Sequence, residues 1–296
     1  MHRSRLMAFL AWLAIVFAIV SSATAQTLKV GGKNFTEQLL MAELTSQLLK
    51  AKGYDVATRT GLASSGIRRE QEAGLVDIYW EYTGTSLRIF NNVSERLAPQ
   101  EAYRRVKDLD AKKGLVWLNP SRVNNTYALA MRESDARAKG ISSISDLAAT
   151  VRKGASFRLA CTTEFFIRSD GLMPLQSAYG FEFAQGNVVR MDANSVYDIL
   201  RNSGVDVGLV FATDGRVAAF DLRILRDDRG FFPSYLLTPV VRKTSLDRDP
   251  DLATYLNALS ERLDDATIGN LNAMIDVQKK PVGEVASSFL RASGLI

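Results

Sequence analysis

Short apolar runs alternate along this chain with stretches in which apolar residues recur every three or four positions. The first kind predicts strands and the second predicts helices that cover them. A short strand at 28–30 is followed by Leu40, Leu44 and Leu48 at helical intervals, ending near Gly53. A strand at 55–60, a helix at 67–73 closed by Gly74 and a strand at 76–80 come next. The helix expected at 99–113 opens on Pro99 and stops at Gly114, residues suited to those two ends. Strands at 116–118 and 123–131 lead into a new series: a helix at 145–153, a strand at 157–161, a loop or short helix at 162–171, and segments at 174–179, 187–190, 194–202 and 205–210 that continue the alternation. The apolar run 236–241 reads as a return, and helices at 246–263, 266–278 and 282–290 close the chain. Alternation of this kind implies an α/β fold with mainly parallel sheets and flanking helices. A chain that departs once and returns once builds two lobes, 26–126 with 237–296 and 127–236, joined by two hinge crossings that permit closure. Tyr127 and Tyr235 fall on those crossings.

The first 25 residues stand apart from this pattern. Arg3 and Arg5 begin a basic segment, residues 6–20 are almost wholly apolar, and Ala23-Thr24-Ala25 is a small-residue cleavage signal, so a secretory signal peptide is expected. The apolar run is too short for a comfortable span, and no later segment approaches the ~20 apolar residues that a span requires. No cysteine stands at the cleavage site to carry a lipid. The expectation is a free periplasmic protein, not a lipoprotein. About 270 residues remain, enough for one large or two medium domains. Removal of two arginines lowers the formal charge from +5 to +3, too little and too dispersed to indicate nucleic acid.

Two absences narrow the chemistry. The single histidine is His2, which leaves with the export segment, and the single cysteine is Cys161. A Ser-His-Asp triad, a Cys-His pair and the common zinc sites all need residues that the processed chain lacks, so no enzyme, metal or cofactor is expected. Cys161 lies in an apolar strand, where an inert buried thiol is the expectation.

The candidate chemistry lies at strand ends. Residues 76–87 read Val-Asp-Ile-Tyr-Trp-Glu-Tyr-Thr-Gly-Thr-Ser-Leu, and residues 203–215 repeat the plan: a glycine, Val-Asp, a strand, an aromatic and a polar loop with glycine. Tyr82 follows Asp77 by five positions, as Phe211 follows Asp206. Ligands of open α/β sheets bind beyond the carboxyl ends of strands, so equivalent rings at equivalent ends suit a ligand held between similar lobes. The loop Gly31-Gly32-Lys33-Asn34-Phe35-Thr36-Glu37-Gln38 runs into a helix whose N-terminus favours an anionic group, with Lys33 and Gln38 beside it. Asn34 and Glu37 have capping-box spacing. The loop lacks the leading glycine and the Ser/Thr of a phosphate loop.

Together these motifs, with Glu164-Phe165, Arg168, Asp170-Gly171, Thr213-Asp214-Gly215-Arg216 and Asp227-Asp228 before Phe231-Phe232-Pro233, resemble the glycine betaine/choline/carnitine substrate-binding proteins of osmoprotectant ABC importers. The resemblance covers nearly the whole processed chain. It implies a type II periplasmic binding protein fold and a quaternary ammonium ligand such as glycine betaine or choline. A quaternary ammonium has no N–H to donate and is held chiefly by ring faces. By motif position the family's aromatic cage falls on Tyr82, Tyr127, Phe211 and Tyr235, and the ligand carboxylate would meet Lys33, Gln38, Thr85 and Arg168, the last through a forked contact. Phe211 stands where many relatives carry tyrosine, and Trp80 is expected beside the cage. The implied partners are an inner-membrane permease and its cytoplasmic ATPase, and the protein is expected to be a monomer.

Two other readings use the same residues. An amino acid or other small zwitterion would need acceptors for a primary amine, which Asp77, Glu81 or Glu164 would supply. An enzyme built on paired carboxylates would use Glu81 with Asp214, although nothing in their spacing demands catalysis.

Overall fold

The computed structural model of the protein describes residues 27–296, so the expected export segment lies outside the described residues. Among the described residues, ten strands form two five-stranded sheets. The first has the order β2-β1-β3-β10-β4, from β1 Leu28–Lys33, β2 Val56–Leu62, β3 Ile78–Tyr82, β4 Leu115–Trp117 and β10 Leu237–Arg242. The second has the order β7-β6-β8-β5-β9, from β5 Tyr127–Arg132, β6 Leu159–Cys161, β7 Val188–Arg190, β8 Val207–Phe211 and β9 Leu222–Ile224. Each sheet places its second strand at an edge, then its first and third, then the strand that arrives from the other lobe, then its last. The same topology is thus built twice.

The sheets are mixed where the sequence pattern suggested mainly parallel ones. β1 pairs in parallel with β2 and β3, as β6 does with β7 and β8, but the arriving strands β10 and β5 run antiparallel to both neighbours. The reason is where they enter. β10 begins at Leu237 opposite Tyr82, the end of β3, and β5 begins at Tyr127 opposite Phe211, the end of β8. A strand that starts in the cleft can only run away from it, against the strands that finish there. This topology puts Tyr82, Phe211, Tyr127 and Tyr235 at one level.

The repeated aspartates stitch the opposite ends of the sheets. Asp77 accepts the Lys29 backbone N–H at 2.9 Å, and Asp206 accepts that of Arg158 at 2.7 Å. Asp77 also takes the Ser245 hydroxyl at 2.8 Å, so it is far from being a ligand acceptor. Helix Thr36–Ala51 buries Leu40, Leu44 and Leu48 on β3, where Trp80 Nε1 donates to Thr45 at 2.9 Å. The helix expected at 246–263 is two, Lys243–Arg248 and Asp251–Glu261, because Pro250 cannot continue the first. Cys161 is fully buried in β6, which pushes its thiol up to about 11.

The lobes also touch beside the crossings. Arg216 of the second lobe reaches Asp276 at 3.4 Å, and a Cβ on Gly215 would stand 2.4 Å from that of Ala273 in helix Asp265–Asp276. Among the described residues, no helix is long and apolar enough to cross a membrane. Asp77→Ala is expected to lower stability by about 1.5–3 kcal/mol through its stranded donors. Asp206→Ala, whose carboxylate is reached by water, should cost less; urea denaturation of both variants checks the order.

Candidate functional site

A cavity of about 670 Å³ lies between the lobes at the strand ends. Of the residues singled out from sequence, Lys33, Tyr82, Thr85, Tyr127, Arg168, Phe211 and Tyr235 line it, and Gln38 does not. Gln38 is turned into the first lobe, where its Nε2 donates to the Trp80 carbonyl at 2.9 Å. It lies on the first turn of its helix but faces the sheet. Trp80 is likewise fully buried against that helix and is absent from the lining.

The rings meet one another. Tyr127 and Phe211 are cross-strand partners with centroids 5.4 Å apart, and Tyr127 meets Tyr235 edge to face at 5.6 Å and 80°. Phe35, in the loop after β1, stacks on Phe211 at 4.9 Å and on Tyr82 at 6.3 Å, linking the two lobes. It was not singled out from sequence, although an aromatic directly beyond a strand end is the signal that marked Tyr82 and Phe211. Phe165 and Phe232 back Tyr127 from the second lobe.

The glycine of Tyr-Thr-Gly-Thr has a specific purpose. A Cβ on Gly84 would stand 2.7 Å from two ring carbons of Tyr235 and 2.9 Å from the Ser234 carbonyl. Only glycine lets the returning crossing lie this close. Thr83 fixes the contact, its hydroxyl donating to Ser234 O at 3.0 Å and accepting from Leu236 N at 3.1 Å. The segment continues as a tight helical turn and a π-turn, Ser86–Phe90, rather than as an open loop.

The two cations are already matched. Lys33 Nζ lies 2.6 Å from Glu81 Oε1, with both groups buried, and 4.9 Å from the centroid of the Tyr82 ring. Arg168 spends its fork on Asp170, with Nε and Nη2 each 2.7 Å from a carboxylate oxygen, and Nη1 on Glu164 at 3.1 Å. The fork expected to face a ligand carboxylate is therefore held internally, because Asp170 follows Arg168 by only two residues. The guanidinium also lies 5.3 Å from the Tyr127 centroid. Of the acceptors considered for a primary amine, Glu164 alone lines the cavity. Glu81 is taken by Lys33, the Tyr79 hydroxyl and the Tyr82 N–H, and Asp214 by Arg216, so that pair has no free carboxylate to work with.

Glu37 does not close a capping box. The helix begins at Thr36, Phe35 takes the cap position with no side-chain bond, and Glu37 points inward. Its Oε1 accepts from the Tyr82 hydroxyl at 2.7 Å and Asn125 Nδ2 at 3.0 Å, and its Oε2 from the Thr213 hydroxyl at 2.6 Å. Burial pushes this carboxyl above its usual range, while its hydrogen-bond donors act in the opposite sense.

Two matched α/β lobes, two crossings and a ring-lined cleft define a type II periplasmic binding protein. Residues 26–292 match the family described as the substrate binding domain of ABC-type glycine betaine transport systems, and the chain belongs to that family. A glycine-betaine-binding protein of Pseudomonas aeruginosa is 47% identical over 93% of this chain and 90% of its own. The solved apo structure of YehZ from Escherichia coli has 32% identity and a TM-score of 0.67, covering 92% of this chain and all of its own. A solved glycine betaine/carnitine/choline ABC transporter protein has 27% identity and a TM-score of 0.73, over 90% of this chain and 99% of its own. The family works in transport with a membrane permease and is not a class of enzymes.

Gly84→Ala is expected to force Tyr235 and the returning crossing apart, lowering stability by about 1–3 kcal/mol. Thermal unfolding of that variant beside Gly66→Ala, where a Cβ would meet nothing closer than 3.7 Å, measures the effect.

Proposed function

We propose that the cavity binds a quaternary ammonium compatible solute, such as glycine betaine or choline, and that lobe closure presents it to an inner-membrane permease driven by a cytoplasmic ATPase. The observation that carries this reading is the convergence of Phe35, Tyr82, Tyr127, Phe211 and Tyr235 from both lobes on one cavity. A methylated onium offers no hydrogen-bond donor, so ring faces are its available partners, each worth about 2 kcal/mol when desolvated. Tyr82, Tyr127, Phe211 and Tyr235 form the cage and Phe35 adds a fifth ring. Thr85, Lys33 and Arg168 lie where a ligand carboxylate or hydroxyl would end, the two cations acting as parts of ion pairs rather than as free charges. The protein acts as a monomer, exported to the periplasm on loss of its first 25 residues and carrying no lipid.

A primary-amine zwitterion suits the site less well. Such an amine requires several acceptors, and Asp77 and Glu81 are fully engaged elsewhere.

Calorimetric titration of glycine betaine, choline, carnitine and proline betaine into the protein, freed of co-purified solute, is expected to give saturable heat with at least one of them. Heat with none would remove the ligand assignment. Tyr235→Ala is expected to weaken that binding about tenfold or more. Retention of most of the affinity by this variant would favour an amine held by hydrogen bonds instead.

A further inference from the structure

Two cage tyrosines end on buried carboxylates. Tyr82 donates its hydroxyl to Glu37 at 2.7 Å, and Tyr235 donates to Asp170 at 2.8 Å. The two acids differ in what balances them. Asp170 is paired with Arg168, whereas the hydrogen-bond partners of Glu37 are all neutral: Tyr82, Asn125, Thr213 and Asn272. Their orientations are fixed from outside. Asn125 Oδ1 accepts from Thr213 N at 3.5 Å and Asn272 Nδ2 donates to Thr213 O at 3.2 Å, so both amides turn their N–H groups to Glu37. All four partners donate to this carboxyl, which favours its charged form against the burial that raises its pKa.

A phenol that donates to a carboxylate holds more negative charge on its ring, and the anion lies one hydrogen bond behind that ring. Both effects strengthen the pull of the ring face on a cation, and burial leaves them weakly screened. An uncharged molecule of the same shape gains nothing from either.

We propose that Glu37 is a specificity-determining residue that acts through the Tyr82 hydroxyl and makes the cage select a permanent cation over an uncharged isostere. The inference rests on the quaternary ammonium reading of the cavity. Glu37 does not line the cavity and acts on the cage through the Tyr82 ring.

The test compares cations with their carbon isosteres. Choline is titrated into the full protein beside its uncharged carbon isostere 3,3-dimethylbutanol, and glycine betaine beside 3,3-dimethylbutanoate, which keeps the carboxylate and lacks only the onium charge. Glu37→Gln and Tyr82→Phe are each expected to weaken binding of the preferred cation about tenfold, while its isostere changes less than about twofold. The double variant should lose about as much as either single, since both cut one path. Equal losses for cation and isostere, or losses that multiply in the double variant, would overturn the proposal and leave Glu37 a purely architectural role. Tyr82→Phe keeps the ring and decides the matter even if Glu37→Gln fails to fold. Failure of the parent protein to bind either cation would instead overturn the quaternary ammonium reading, and this inference with it.

Discussion

Tyr127 and Tyr235 meet edge to face on the two chain crossings, and the cleft depends on that meeting. Each ring stands where its crossing strand begins, and the crossings are tied side by side. Asn124 Oδ1 accepts the Tyr235 N–H at 2.7 Å, and Val123 O accepts that of Leu237 at 3.0 Å. Gly84 belongs to the same constraint, because it leaves room for the Tyr235 ring on the end of β3.

The electrostatics of the cavity follow from how its charges are distributed. Lys33 and Arg168 would stand out as anion binders if only residue types were counted, yet Glu81, Asp170 and Glu164 meet them at hydrogen-bond distance. Removing one member of such a buried pair strands its partner, so Lys33 and Arg168 contribute to the architecture whatever the ligand. Beyond these pairs the cleft presents five aromatic rings, with Glu37 behind one of them, among amide, hydroxyl and aliphatic side chains. That balance agrees with a ligand whose charge is positive and cannot be hydrogen-bonded.

The duplicated plan of the protein is visible in its sequence as Val-Asp, strand, aromatic, polar loop, because each part has a local cause. An aspartate five residues before a strand-end ring is read as a pattern in one dimension and serves as a stitch between neighbouring strands in three. Glu37 shows where that route fails. Its spacing from Asn34 matches a capping box, but Phe35 takes the cap and the carboxylate turns to donors from residues 82, 125, 213 and 272, contacts that no local pattern encodes. Gln38 faces the sheet for a similar reason, since only about half a turn of helix separates a residue facing the cleft from one facing the sheet.

Hydrophobic period, glycine and proline placement and the repeated motif were enough to determine an α/β chain of two lobes with aromatic residues at matching strand ends, because these are properties of short segments. Tertiary structure alone decided that the crossing strands run antiparallel, that Arg168 gives its fork to Asp170, and that Phe35 bridges Tyr82 and Phe211. Those outcomes depend on distances between residues far apart in the chain, or on side-chain directions set by packing, and neither is written in the order of residues along one segment.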